Sequence, residues 1–332
     1  MRLSDLVMAS VSLLFFSCGG SDDAAIDGSS ARDSGVNDSS AAGDATSDGS
    51  ARSADSGTAR DDAGVDTDGG RKISSDGCGT TPPHTGNSAA TTTDGRGTTR
   101  DYEVYLPASY DKTKPLALTF AYHGAGGNSS QSEAFGIQNG AGAADASIFV
   151  FPQGVAFQTY GVGWDDTCGG YDMVFFDHMV ADIESHYCVD TTRVFAAGFS
   201  WGCDQVTALT CCRGDKIRAV SGASCTDEFG KADDPTTYAN LACPALGGTG
   251  IRFTHDASGG DTAYPAPLFT TTSKLFQTLS GCPSFSGSLT ANACHTYAGC
   301  TDTFIECPYA ALGHATPSGW GGDTWSFFAT YH

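Results

Sequence analysis

The sequence predicts an α/β domain built on a mostly parallel sheet with helices on both faces, and three observations carry that prediction. Short apolar runs suited to buried strands alternate with segments whose apolar residues recur at helical spacing. The alternation continues through the 256 residues from position 77 to the end. No internal repeat interrupts it, so strands and crossover helices taking turns imply one layered unit.

Each element has its own signal. Tyr102, Val104 and Leu106 alternate with polar neighbours, as on a half-buried strand, and Leu116 to Tyr122 is a nearly continuous apolar run suited to the middle of a sheet. Ser147 to Phe151 repeats that pattern and is closed by Pro152-Gln153-Gly154. Phe176, Met179, Val180, Ile183 and Tyr187 fall at helical spacing, which predicts an amphipathic helix packed on the sheet. Arg193 to Phe199 is again strand-like and leads into a predicted helix, Cys203 to Cys212. Further strands are predicted at Ile217 to Val220, Ile251 to Thr254 and Thr303 to Ile305, with helices near 267–280 and 322–331.

Charge separates this domain from what precedes it. The chain of 332 residues carries 17 Lys and Arg against 38 Asp and Glu, a net charge of −21. That balance excludes nucleic acid as a partner class, because phosphate binding draws on clustered cations. Residues 19–76 hold 13 Asp and five Lys or Arg, no aromatic residue and no Leu. Such a segment buries no core and reads as a solvated, self-repelling linker to the folded domain at 77–332.

The first 18 residues read as an export signal. Arg2 precedes an apolar run, Leu6 to Phe16, that is too short to span a bilayer. The order Leu14-Phe15-Phe16-Ser17-Cys18-Gly19-Gly20 resembles the lipobox of bacterial lipoproteins, which implies lipidation of Cys18 and an outer-membrane or cell-surface location. An ordinary cleaved secretory signal is the alternative, and both take the domain out of the cytoplasm. Twelve further cysteines, an even set in an exported domain, read first as disulfides. No paired Cys-x-x-Cys knuckle and no His pair at helical ligand spacing occurs, so no metal is expected.

The sharpest motif lies at the end of the strand 193–199. Gly198-Phe199-Ser200-Trp201-Gly202 is the only Gly-x-Ser-x-Gly in the chain, and it stands between a predicted strand and a predicted helix. In that context it reads as a nucleophile elbow, whose tight turn lifts Ser200 Oγ to the sheet edge and aims the Trp201 N–H at the reacting oxygen. A serine hydroxyl needs a base. His314, in a loop after the last predicted strand, suits that role better than His178 and His186 on a helix, the terminal His332, or His84 and His295 ahead of strands. The imidazole in turn needs a carboxylate. The segment from Ile251 to Thr262 offers Asp261, the first choice, and Asp256.

The order Ser200, Asp261, His314 is that of α/β-hydrolases. Tyr122-His123-Gly124-Ala125-Gly126-Gly127 occupies the place of the loop that gives a second oxyanion donor, which points to the Ala125 N–H. His123 reads as a buttress of that loop. No cofactor is needed.

From about residue 100 the chain resembles secreted feruloyl esterases and their relatives, the acetylxylan esterases and extracellular poly(3-hydroxybutyrate) depolymerases. The resemblance is carried by Arg100-Asp101-Tyr102, His123-Gly124, Phe151-Pro152-Gln153-Gly154, Gly163-Trp164-Asp165, Tyr187-Cys188-Val189-Asp190, the elbow, Ser280-Gly281-Cys282 and Gly313-His314. It implies an ester substrate on an extracellular polymer or oligosaccharide, with ferulate on plant cell-wall polysaccharide preferred over polyester. A non-catalytic carbohydrate-binding protein on the same scaffold is the remote alternative. Trp164, Tyr160, Trp201 and Trp320 are the aromatic candidates for stacking on a feruloyl ring or sugar. Three departures from the family pattern stand out. Cys203 replaces a glycine after the elbow, which suggests a disulfide, with Cys168 as one partner. The acid loop is two residues longer, and Thr316 stands where an aromatic residue is usual after the histidine.

Overall fold

In chain order the described residues form β1 (Thr67–Asp68), β2 (Arg71–Lys72), β3 (Asn87–Thr93), β4 (Thr99–Tyr105), β5 (Leu116–Tyr122), α1 (Ser129–Glu133), α2 (Ala143–Ala146), β6 (Ser147–Pro152), β7 (Val155–Ala156), β8 (Val162–Gly163), α3 (Tyr171–His186), β9 (Val189–Phe199), α4 (Trp201–Cys212), β10 (Ala219–Ala223), β11 (Gly250–Asp256), α5 (Ala266–Leu279), β12 (His295–Thr296), β13 (Phe304–Tyr309) and α6 (Trp320–Phe328). The computed structural model describes residues 67–68, 71–157, 161–225 and 248–331. The export signal with Cys18, most of the acidic segment, and Tyr160, Cys243 and His332 lie outside the described residues.

Nine of the strands form one sheet in the order β12-β13-β11-β10-β9-β5-β6-β4-β3. The six from β13 to β6 run parallel, while β12, β4 and β3 pair antiparallel at the two margins. The β5 run lies in the sheet interior, where both of its faces are covered. Leu118, Phe120 and Tyr122 point into one core with α3, α4 and α5, while Ala117 and Ala121 point into a second with α6. The period-two alternation of β6 and β9 does the same: Ile148, Val150, Val194 and Ala196 join the first core, and Phe149, Phe151, Phe195 and Ala197 the second. Phe120 meets Phe176 of α3 edge-on at 5.0 Å between ring centroids, and Phe195 stacks on Phe328 of α6 at 4.7 Å. Each such side chain contributes on the order of 1.5–3 kcal/mol by leaving water.

Three of the departures from the sequence expectation have a physical reason on view. Strand β3 carries no large apolar residue, so no burial pattern announces it; it forms because the β4 edge offers unpaired backbone groups. Strand β10 is centred two residues later than predicted, on Ala219-Val220-Ser221-Gly222-Ala223, where small side chains fit between β9 and β11. Helix α6 begins at Trp320, two residues early, behind the left-handed Gly319.

Among the described residues disulfides join Cys78–Cys188, Cys168–Cys212, Cys203–Cys225, Cys282–Cys300 and Cys294–Cys307, with Cys203 and Cys225 inside the first core. Cys211 is also disulfide-bonded. The suggested Cys203–Cys168 pair is corrected. Strand β10 runs parallel beside β9, with Ala223 opposite Phe199, so the chain leaving β10 brings Cys225 to Cys203, with 5.2 Å between Cα atoms. The ordered contacts of this unit reach back to Ile73, whose carbonyl accepts from the Thr191 N–H. Ser75 Oγ bonds the Tyr187 carbonyl at 2.6 Å.

Candidate active site

The turn between β9 and α4 is strained, and its neighbours hold it there. Ser200 has φ 55° and ψ −131°, a conformation that side-chain-bearing residues avoid. Strain of this kind costs on the order of 1–3 kcal/mol and persists only where surroundings over-determine it. The Ser200 N–H donates to the Ala223 carbonyl at 3.0 Å, and the Ser200 carbonyl accepts from the Cys203 and Asp204 N–H groups. The flanking glycines are a matter of space. A Cβ on Gly198 would lie 2.1 Å from the Gly202 carbonyl oxygen, and one on Gly202 would lie 2.2 Å from that of Tyr122. No side chain fits either position.

Opposite the turn, two loops deliver the base and its partner. His314 Nε2 lies 2.8 Å from Ser200 Oγ, and His314 Nδ1 lies 3.1 Å from both carboxylate oxygens of Asp261. Asp261 is buried, and its Oδ1 also accepts from the Ala263 and Tyr264 N–H groups at 3.0 and 2.9 Å. Asp256 makes no hydrogen bond to the imidazole; it organises the loops instead. Its Oδ1 accepts from the Ser258 N–H, the Ser258 hydroxyl and the Gly260 N–H, and its Oδ2 accepts from the Gly313 N–H at 2.6 Å. Burial acts to raise the Asp256 pKa, but those four donors, Gly313 foremost, outweigh it and hold the carboxyl well below the usual carboxylate range. One buried anion thereby ties the Asp261 loop to the residue preceding His314.

The His123–Gly127 loop closes the other side of the turn. A Cβ on Gly124 would sit 3.1 Å from Ser200 Cβ, so the loop backbone passes directly over the hydroxyl-bearing residue. His123 is fully buried. Its Nε2 accepts from the Gly154 N–H at 2.9 Å, which leaves Nδ1 as the donor to the Gly124 carbonyl at 2.8 Å. Burial pushes its pKa down, so the ring stays neutral and serves as a strut. Among the described residues the Ala125 N–H meets no acceptor. The Trp201 N–H stands in the first turn of α4, where helix N–H groups favour developing negative charge.

Two stacking candidates are corrected. Trp164 is fully buried, with Nε1 donating to the His123 carbonyl at 2.9 Å, and Trp320 is 2% exposed in the second core. Both rings are spent on packing. Trp201 is half-buried, with its ring laid over Gly163 and edge-on to Phe157 at 5.9 Å. The motif Arg100-Asp101-Tyr102 is likewise structural. Arg100 pairs with Asp172 at 2.7 Å in the interior and caps the Gln153 carbonyl, and the Tyr102 hydroxyl bonds Asp182.

Tyr264 escaped the sequence reading. Its N–H donates to Asp261, its ring stacks on His314 at 5.4 Å between centroids, and its hydroxyl bonds the buried Asp204 of α4 at 2.5 Å. It therefore joins the acid loop, the imidazole and the helix behind Ser200. The Phe199 ring also lies against the imidazole, at 4.9 Å between centroids. A tyrosine three residues past an aspartate carries no signal of its own; only the fold brings it against α4.

No family model matches the chain. Feruloyl esterase C of Emericella nidulans is 37% identical over 129 residues, covering 37% of this chain and 45% of that protein. Feruloyl esterase D of Neurospora crassa is 31% identical over 177 residues, covering 49% of this chain and 59% of that protein. The chain thus spans about half the length of the curated relatives it matches. Among solved structures, an acetyl xylan esterase from Aspergillus awamori superposes with a TM-score of 0.56 at 17% identity, over 73% of this chain and 99% of that one. The feruloyl esterase module from Clostridium thermocellum, solved with sinapinate, gives 0.50 at 16% identity over 76% and 89%. The fold is the α/β-hydrolase fold.

Proposed function

We propose that this chain is an exported serine carboxylic-ester hydrolase that releases ferulate or a related acyl group from plant cell-wall polysaccharide. One observation carries the chemistry: a strained serine hydroxyl 2.8 Å from an imidazole whose other nitrogen meets a buried carboxylate. The acyl preference draws on the similarity to feruloyl esterases.

In this reading His314 Nε2 takes the Ser200 proton as Oγ attacks the ester carbonyl. Asp261 holds the imidazole with Nδ1 protonated and steadies the imidazolium. The tetrahedral oxyanion accepts hydrogen bonds from the Trp201 and Ala125 N–H groups, each such donor being worth about 2.7–4 kcal/mol. His314 then protonates the leaving sugar alcohol, and water, deprotonated by the same imidazole, releases the acid and restores Ser200.

The compartment follows from the cysteines, since several disulfides in one domain fit an oxidising environment. The Cys18 lipid anchor is a further part of the proposal, tested by metabolic labelling with a palmitate analogue, in which label retained by Cys18→Ala refutes it. The activity itself is tested on methyl ferulate and on feruloylated arabinoxylan, with Ser200→Ala as control. Clearing of a poly(3-hydroxybutyrate) suspension without ferulate release would reassign the enzyme to polyester, and inactivity on every ester, p-nitrophenyl acetate included, would leave a non-catalytic scaffold.

A further inference from the structure

Beyond the serine, the C-terminal end of β11 borders a second concavity. It has a volume of about 540 Å³ and is walled by α5, the end of β13 and the loop between α5 and β12. We infer that this cavity is a binding subsite for neutral sugar units of the polymer that carries the scissile ester. The inference rests on the polysaccharide reading above and extends it to a part of the surface that does no chemistry.

Its walls combine one exposed ring with fixed polar groups. Phe285, 39% accessible, is the sole exposed large hydrophobic side chain among the described residues. Its ring lies over Gly287, where a Cβ would come within 2.6 Å, and packs edge-on against Tyr297 at 5.1 Å. The loop that carries it is held by Cys282–Cys300 and Cys294–Cys307, so the ring is presented without a large ordering cost. Deeper in, the buried Glu306 accepts from the Ser273 hydroxyl at 2.7 Å and the Tyr297 hydroxyl at 2.9 Å through one oxygen, and its other oxygen lies 3.1 Å from His255 Nε2. Gln277 Nε2 bonds Ser273 Oγ and the Tyr297 hydroxyl, while its carbonyl oxygen meets no donor among the described residues.

The ligand class follows from what these groups accept. A carboxylate has room for about four hydrogen bonds, and Ser273, Tyr297 and His255 take three places on Glu306, so the Gln277 carbonyl and the remaining place on Glu306 present acceptors to hydroxyl groups. Phe285 presents a face to the C–H side of a pyranose ring. A wholly apolar ligand would strand the polar groups, and a charged one of either sign would meet a like charge, Glu306 for an anion and Lys274 for a cation. The location also fits. His255 and Ala257 in the wall flank Asp256, which holds the residue before His314, so the subsite lies where the parallel strands end, as the serine does.

Titration calorimetry of the Ser200→Ala protein with xylohexaose provides the test, alongside the same protein carrying Phe285→Ala or Gln277→Ala. Binding that weakens about fivefold or more in either variant is expected, the size of one lost ring or hydrogen-bond contact. On the active protein, Phe285→Ala is expected to raise KM for feruloylated arabinoxylan by a similar factor and leave methyl ferulate turnover unchanged. Absence of xylohexaose binding, or an affinity unchanged from the Ser200→Ala parent in both variants, overturns the subsite. Sugar binding without any release of ferulate from methyl ferulate leaves the subsite standing and removes the feruloyl esterase reading.

Discussion

Asparagine at position 261 is the substitution that most directly probes the proposed relay. Asp261 Oδ1 is already engaged by the Ala263 and Tyr264 N–H groups at 3.0 and 2.9 Å, so an asparagine there keeps its carbonyl on those donors and turns its NH2 toward His314 Nδ1, 3.1 Å away. Two donors cannot face each other. Nδ1 must then become the acceptor, the proton moves to Nε2, and Nε2 points that proton at Ser200 Oγ in place of a lone pair. Loss of the productive tautomer costs about 10⁴ in kcat in hydrolases built this way, or about 5.5 kcal/mol of barrier. The fold should be spared, because the substitution removes no volume and both backbone contacts survive. The assay is kcat on p-nitrophenyl acetate together with the melting temperature. A drop of three to four decades at an unchanged Tm is expected. Retention of more than about a tenth of kcat by Asp261→Asn, with Asp256→Asn the dead variant, would show that the wrong carboxylate has been assigned.

Other outcomes follow from the same contacts. Gly198→Ala places a Cβ 2.1 Å from the Gly202 carbonyl oxygen, so it should abolish phosphonate labelling of Ser200 and lower Tm by several degrees; wild-type labelling would contradict the tight-turn account. Tyr264→Phe deprives the buried Asp204 of a hydroxyl donor, and a stability loss of about 1–3 kcal/mol in urea titration is expected, with a reduced kcat from a looser imidazole. Asp256 has a depressed pKa in the folded state, so its stabilisation is present above the unfolded carboxylate value of about 3.9 and is lost as pH falls through that value toward the folded one. The urea midpoint of the wild type should therefore fall more between pH 6 and pH 3 than that of Asp256→Asn, and parallel pH profiles would refute the loop-anchor role.

How far the sequence discloses this molecule depends on whether a feature is written in local pattern or in packing. Leu116 to Tyr122 announces its place because a strand covered on both faces must be apolar throughout, and it forms β5 within those bounds. Strand β3 is silent for the opposite reason, since an edge strand with one face in solvent can be spelled Asn-Ser-Ala-Ala-Thr-Thr-Thr. The tryptophans misled in a third way. Gly163-Trp164 and Gly319-Trp320 look like loop aromatics in sequence, but a ring large enough to grip a substrate is also large enough to fill a core, and both fill one.

The two aspartates of the acid loop separate on the same principle. Sequence spacing puts both just beyond the predicted strand Ile251 to Thr254, and nothing in residue type distinguishes them. Distinction comes from what each lone pair meets. Asp256 spends its oxygens on four donors from the Ser258–Gly260 turn and from Gly313 and makes no hydrogen bond to the imidazole. Asp261 receives two backbone donors on one oxygen and lies with both oxygens 3.1 Å from His314 Nδ1. The five residues from Ala257 to Asp261 carry the chain from the end of β11 to the base, so that one carboxylate anchors the loop and the next meets the imidazole.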